Sequence, residues 1–287
     1  MNSGKSMSLR ARINNFAKAK GVSPQLALQS FFAERFLARI EKSPYAGNIA
    51  LKGGTLLSAI LGIEQRTTMD IDATVVGIQV DEAKIVEIVE TIAATDADDG
   101  VVFVRDKSLP LAITKDDEYG GYTIGLVAEF GTIRLPMGID ITFGDAITPK
   151  AELRDFGSIL DGGVSIRLLA YTVETLMAEK LQTILKRGVA TTRPRDFYDL
   201  YMLHSRGGYS KVTLSRAVKA TFANRQSEEY FKARKEVVEM LSKSGFQRQQ
   251  WLRYQKKTPY ASEISFDDVI DSLNKILCQV KWQLTIG

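Results

Sequence analysis

Histidine and cysteine are almost missing from this sequence of 287 residues, which holds one of each, His204 and Cys278. Metal sites built from several imidazoles or thiolates are thereby excluded. So is an internal disulfide framework, and a lone cysteine fits a reducing compartment, so a cytoplasmic location is expected. A Ser-His-Asp hydrolase would have to use His204, and no Gly-x-Ser-x-Gly elbow is present. His204 reads as a helix residue near a C-terminus, and Cys278 as a packed residue of the last helix. Long apolar runs are absent as well. Lys5, Arg10 and Arg12 lie near the start with no uninterrupted apolar segment after them, so neither a signal peptide nor a membrane span is expected. No internal repeat or low-complexity run interrupts the chain. Its 45% hydrophobic content is ordinary for a globular protein of one large or two modest domains.

What is present is unevenly distributed. From Arg206 to Lys257 there are 13 Lys/Arg and 4 Asp/Glu, a local net of +9. The whole chain carries +4, so the remainder carries −5. Tyr209, Phe222, Tyr230, Phe231, Trp251 and Tyr254 fall in the same stretch. Basic residues interleaved with aromatics suit a nucleic-acid backbone and its bases. Solvated helix faces over an aromatic core give the same pattern.

Hydrophobic periodicity divides the chain at about residue 165. Helices are predicted over about 8–20 and 24–41, the second with Ser23 as N-cap and Pro24 at its first position. A short strand follows at Ile49 to Lys52, then a helix from Thr55 to Leu61. Strands are predicted at Ile71 to Val76, Val101 to Arg105, Tyr122 to Phe130 and Met137 to Phe143. Asp81 caps a helix running to about Ala94, with Ile85, Ile88, Val89 and Ile92 on one face. Asp98-Asp99-Gly100 and Glu118-Tyr119-Gly120-Gly121 read as turns. Beyond about Ile166 the pattern is almost wholly helical, over about 172–187, 194–206, 212–223, 228–243, 246–256 and 265–281. The expectation is an α+β protein: an α/β domain over 1–165 and a helical domain over 166–287.

The residues that carry chemistry cluster between Leu51 and Asp72. Gly53 and Gly54 suit a turn where backbone N–H groups approach a phosphate closely. Asp70 and Asp72, two apart on a strand, point to the same side. Two carboxylates aimed at one point repel each other unless a cation lies between them, and Mg²⁺ favours such oxygen ligands. Arg66, Thr67 and Thr68 either touch nucleotide phosphates or simply form the strand's entry loop. Asp140 lies mid-strand, on the face opposite Ile139 and Ile141. It is a third acid, either a metal ligand or a base, or else it faces water on an edge strand. Asp145 competes with it weakly. Lys180 falls within an apolar helical stripe with Val173, Leu176, Met177 and Ile184, where it snorkels, pairs with Glu179 or meets a buried anion such as a triphosphate. Asp196 faces inward from the next helix, with Asp199 flanking, and caps that helix, pairs with Arg193 or holds Lys180.

Lys52-Gly53-Gly54-Thr55, Asp70-Ile71-Asp72, Glu179-Lys180-Leu181 and Arg193-Pro194-Arg195-Asp196-Phe197-Tyr198-Asp199 together resemble the AbiEii/AbiGii family of nucleotidyltransferase-like toxins, which includes the MenT toxins. The matching blocks span roughly residues 50–200 in the family's order. The resemblance implies a DNA polymerase β-like nucleotidyltransferase core, a mixed sheet with flanking helices, and a helical C-terminal part that completes the active site. It implies an NTP substrate, Mg²⁺ held by Asp70 and Asp72, and a cognate antitoxin. It also implies transfer of nucleotides to the 3′ acceptor end of tRNA, which blocks translation. Lys180 would bind the nucleotide along with Gly53, Gly54, Thr55 and Arg66, and Asp196 would complete the catalytic set. Arg195 stands where the family carries lysine. Arg248, Arg253 and Lys256 are the expected RNA contacts. Two other readings share the motif: transfer to a small molecule or a protein hydroxyl, and nucleotide binding without turnover.

Overall fold

A computed structural model of the chain describes residues 2–68, 70–108, 111–113, 120–161 and 165–282. The chain forms two compact units. One comprises Met1–Gly144 with Glu152–Ala170, the other Asp145–Ala151 with Tyr171–Gly287.

The first unit opens with α1 (Asn2–Lys20) and α2 (Pro24–Lys42). The Ser23 hydroxyl accepts from the Leu26 N–H and starts α2, where Pro24 supplies a helix-compatible φ. α2 buries Phe31, Phe32, Phe36, Leu37 and Ile40. Each such side chain contributes about 1.5–3 kcal/mol when removed from water. The buried Arg39 donates to both Asp99 oxygens, at 2.9 and 2.8 Å, and to the Val101 carbonyl at 2.5 Å. It fastens α2 to the expected Asp98-Asp99-Gly100 turn, where Asp98 and Gly100 take φ of 55° and 70°.

The strands are β1 (Ile49–Leu51), β2 (Ile71–Val75), β3 (Val102–Arg105), β4 (Ala112–Ile113), β5 (Gly121–Phe130), β6 (Ile133–Phe143), β7 (Glu152–Gly157) and β8 (Ser165–Ala170). They form one mixed sheet in the order β3-β5-β6-β2-β1-β8-β7, with β4 also paired to β5. β1 is antiparallel to β2 and parallel to β8, while β2 runs parallel to β6. Between strands lie α3 (Gly53–Leu61) and α4 (Glu82–Ala94). α4 is capped by Asp81 and buries Ile85, Ile88, Val89 and Ile92, as its periodicity predicts.

Some boundaries differ from the sequence pattern. α3 begins at the glycines themselves, and β6 begins at Ile133, not Met137. β4, β7 and β8 have no counterpart in the predicted elements, and the strand β8 occupies the start of the stretch read as helical. Glu118 and Tyr119 of the second predicted turn lie outside the described residues.

The second unit is helical: α5 (Val173–Arg187), α6 (Pro194–Arg206), α7 (Lys211–Asn224), α8 (Glu228–Lys232), α9 (Arg234–Lys243), α10 (Gly245–Lys257) and α11 (Phe266–Gln279). The single helix predicted over 228–243 breaks at Ala233. Ser265 and Asp268 cap α11 reciprocally. α11 buries Phe266, Val269, Ile270, Leu273, Ile276 and Leu277, but Cys278 falls just off that stripe and is exposed instead of packed. The architecture is the expected α+β class, a mixed sheet with flanking helices followed by a helical part. Among the described residues no helix is long and apolar enough to cross a membrane.

Candidate active site

A single carboxylate joins β2 to the start of α3. Gly53 takes φ of +51°, which L side chains rarely adopt. A Cβ at Gly53 would lie 2.7 Å from Asp72 Cγ, and one at Gly54 would lie 2.8 Å from Thr68 Oγ1 and 3.2 Å from Asp72 Oδ2. Without those carbons Asp72 reaches the helix N-terminus. Its Oδ2 accepts from the Gly54 N–H at 2.7 Å and the Thr55 N–H at 3.2 Å. The donors expected to meet a phosphate thus hold an anion of the protein itself. The Thr55 hydroxyl donates to the Asp70 carbonyl at 3.0 Å and accepts from the Asp72 N–H at 2.9 Å. It fixes the backbone between the two acids.

Asp72 pairs with Asp140 in the parallel β2–β6 register. Paired residues share a face of the sheet, so these two carboxylates face one another. β6 lies between β5 and β2, which places Asp140 on an interior strand. Thr123, its partner on β5, donates to Asp140 Oδ1 at 2.5 Å. Burial pushes the Asp72 pKa up, and repulsion from Asp140 adds to it. The Thr55 N–H, the Lys52 charge and the Gly54 N–H pull the other way without prevailing. Asp70 is exposed, immediately before β2.

These residues fit a divalent cation. Mg²⁺ is commonly held by one or two carboxylates, with waters and substrate phosphates completing its shell. A facing pair whose mutual repulsion raises a pKa meets that habit, because a cation offsets the repulsion. Among the described residues no three or more His, Cys, Asp or Glu side chains form a protein-only cage.

Arg66 is 3% exposed and donates to the Thr67 carbonyl, so its side chain is turned into the protein. Thr68 Oγ1 donates to the Asp70 carbonyl at 3.3 Å. Lys52, Thr123 and Gly138 are the neighbours that sequence reasoning passes over as site residues. Their signal is the strand register, which a single sequence does not print.

In the second unit Lys180 of α5 is clasped by α6. Its ammonium lies 2.9 Å from Asp196 Oδ1 and 2.6 Å from Asp199 Oδ2. Arg193 Nε donates to Asp196 Oδ2 at 2.8 Å. Burial works to raise the Asp196 pKa, but the Lys180 and Arg193 charges and hydrogen bonds hold it below the usual carboxylate range. Asp199, only a flanking residue in the sequence pattern, is fully buried against Lys180. Asp145 accepts from the Tyr171 hydroxyl at 2.9 Å. His204, in the last turn of α6, is hydrogen-bonded through Nδ1 to Tyr209 at 2.7 Å.

The basic segment divides by face. Phe222, Phe231, Trp251 and Tyr254 are buried and pack as core, so they offer no stacking surface for bases. Outside, α10 exposes Arg253, Lys256 and Lys257, along with Phe246 and Leu252, about half exposed. Arg248 is also exposed, but it forms two hydrogen bonds to Asp267, at 3.1 and 2.6 Å, and lies 5.3 Å from the Phe266 ring centroid.

The mixed sheet thus carries paired acids beside a Gly-Gly helix start. The family model described as nucleotidyl transferase AbiEii toxin, type IV TA system, matches residues 35–272, and the chain belongs to that family of toxin–antitoxin systems. Nucleotidyl transfer is therefore its class of chemistry, and an antitoxin its counterpart. The fold is similar to that of a candidate nucleotidyltransferase from H. pylori, at 13% identity over 90% of this chain and 95% of that one, with a TM-score of 0.50. JHP933 from Helicobacter pylori matches at 14% identity over 89% and 91% of the two chains, with a TM-score of 0.48. No curated protein matches the sequence.

Proposed function

We propose that this toxin is a Mg²⁺-dependent NTP:tRNA nucleotidyltransferase that acts in the cytoplasm and blocks translation by extending the 3′ acceptor end of tRNA. The observation that carries the reading is the facing Asp72–Asp140 pair at the start of α3, with Asp70 beside it. Asp70 and Asp72 would hold the divalent cation, which would supply positive charge to the reacting phosphate and to the leaving pyrophosphate. The terminal tRNA hydroxyl attacks the α-phosphate of the NTP. A new P–O bond forms as the bond to pyrophosphate breaks, and Asp140 takes the hydroxyl proton. Thr55 keeps Asp70 and Asp72 in register, and Thr123 orients Asp140. Gly53, Gly54 and Thr55 form the nucleotide turn by fixing Asp72 beside the reacting phosphate, since the Gly54 and Thr55 N–H groups hold that carboxylate. Lys180 is the nucleotide-binding cation, oriented by Asp196 and Asp199. The exposed cations of α10, Arg253 and Lys256 first, supply charge for the RNA backbone.

The test is incubation of the protein with total tRNA and each α-³²P-labelled NTP in Mg²⁺. Label on the tRNA 3′ end, retained after phenol extraction and lost in Asp70→Ala, is expected. Label on another acceptor with none on tRNA overturns the tRNA assignment. Nucleotide binding with no label transfer overturns catalysis altogether.

A further inference from the structure

We infer that Gly138 is a positioning residue for Asp70: its missing side chain is what lets that carboxylate stand over β6. The inference rests on the proposed role of Asp70 as a cation ligand. The parallel β2–β6 ladder pairs Ile71 with Ile139 and Asp72 with Asp140. One step earlier along both strands, the same register sets Asp70 against Gly138. A Cβ built on Gly138 would lie 2.7 Å from Asp70 Oδ1 and 3.4 Å from its Cγ. Real Cβ atoms do not come that close to an oxygen, so any side chain at 138 displaces the carboxylate.

Glycine inside a strand weakens it, because more backbone freedom is lost and nothing is packed. Its usual justification is a left-handed backbone, and Gly138 is not among the residues with positive φ. An alanine there meets no backbone strain. What it meets is the far end of the Asp70 side chain, which swings aside. The strand therefore tolerates the substitution, and the carboxylate does not. Asp70 has its backbone held by Thr55 and Thr68, which both donate to its carbonyl. Its side chain must accordingly yield by rotation, away from the face it shares with Asp72 and Asp140.

The experiment is a double-mutant cycle in the full chain. Gly138→Ala, Asp70→Ala and the double variant are compared with the parent. Gly157→Ala serves as the backbone control, a β7 glycine whose added Cβ meets nothing within 4 Å. Binding of Mn²⁺ without nucleotide is read by electron paramagnetic resonance, stability by thermal unfolding, and transfer by label incorporation. Gly138→Ala is expected to unfold at or above the parent temperature, as at other compatible sites. Its Mn²⁺ affinity should fall about ten- to a hundred-fold, the range for groups that orient a metal ligand. In the Asp70→Ala background the same substitution should change Mn²⁺ affinity no further. Unchanged Mn²⁺ affinity in Gly138→Ala overturns the inference. So does an equal loss in both backgrounds, or a parent that binds no Mn²⁺. Failure of the parent to label tRNA overturns the proposed function and leaves the Mn²⁺ cycle to decide the role of Gly138.

Discussion

Asp72 is the residue at which function and stability pull apart. Its carboxylate is half-buried, faces Asp140 across one strand spacing, and has its pKa pushed up by desolvation and by that neighbour. A group whose charged form is disfavoured in the fold weighs against folding whenever it is ionised. Two backbone N–H groups and Lys52 offset only part of that burden. Asp72→Asn keeps the shape and can present its amide oxygen to the same two N–H donors. It removes the negative charge that a cation would require. The expected outcome is a variant that unfolds at or above the parent temperature and transfers no nucleotide, read by thermal unfolding beside the label assay. Active sites commonly hold such destabilising groups. A variant that unfolds several degrees lower would show that the ionised carboxylate supports the fold, and this account of Asp72 would be wrong.

The helix pair α5–α6 gives an element-scale counterpart. Lys180 is 12% exposed and bonds carboxylates on both the first and second turns of α6. Truncating it leaves Asp199 buried without that cation and Asp196 with Arg193 as its remaining cation here. Removing one partner of a buried ion pair costs about 3–5 kcal/mol. Lys180→Ala is therefore expected to lower the denaturant midpoint markedly, and its effect on growth inhibition is interpretable only beside that measurement. An unchanged midpoint would mean that the clasp adds nothing to the fold. The clasp was half legible in sequence: Lys180 and Asp196 fall on inward stripes at 3.6-residue periodicity, but spacing alone does not choose between Asp199 and Glu179 as partner. Glu179 in fact pairs with Arg225. Strands show the same division. β2 and the second half of β6 announce themselves by β-branched runs. β7 hides because four of its five side chains are not buried, leaving only Phe156 inside. Pro136 makes β6 look four residues shorter than it is. The strand runs past it because β2 pairs only with Ile139–Phe143, so a missing N–H there breaks no bond to β2. β8 alternates buried Ile166, Leu168 and Ala170 with outward Ser165 and Arg167, a period too short-lived to separate from the helices that follow it.

At the scale of the whole molecule, the charge asymmetry is the property that bears on the acceptor. The acids that would hold a cation lie in the part of the chain carrying −5, while Arg206 to Lys257 carries +9. With Phe222, Phe231, Trp251 and Tyr254 buried and Phe246 half exposed, the RNA affinity of that segment is expected to rest mainly on phosphates, with few bases stacked. Such binding weakens steeply with salt, and each lost phosphate contact lowers the salt slope by about one unit. Arg253 and Lys256 are exposed on α10, so reversing them should leave the fold intact. Arg248 differs, because Arg248→Glu would face the Asp267 carboxylate it now bonds and so tests stability as well. The decisive variant is therefore Arg253→Glu with Lys256→Glu. Measured by filter binding across a salt series, it is expected to bind tRNA more weakly at low salt, with a slope shallower by about two units. The two curves should converge as salt screens the remaining charge. Parallel curves of equal affinity would return α10 to the status of a solvated helix face and move the search for the RNA surface to the other exposed cations of the segment.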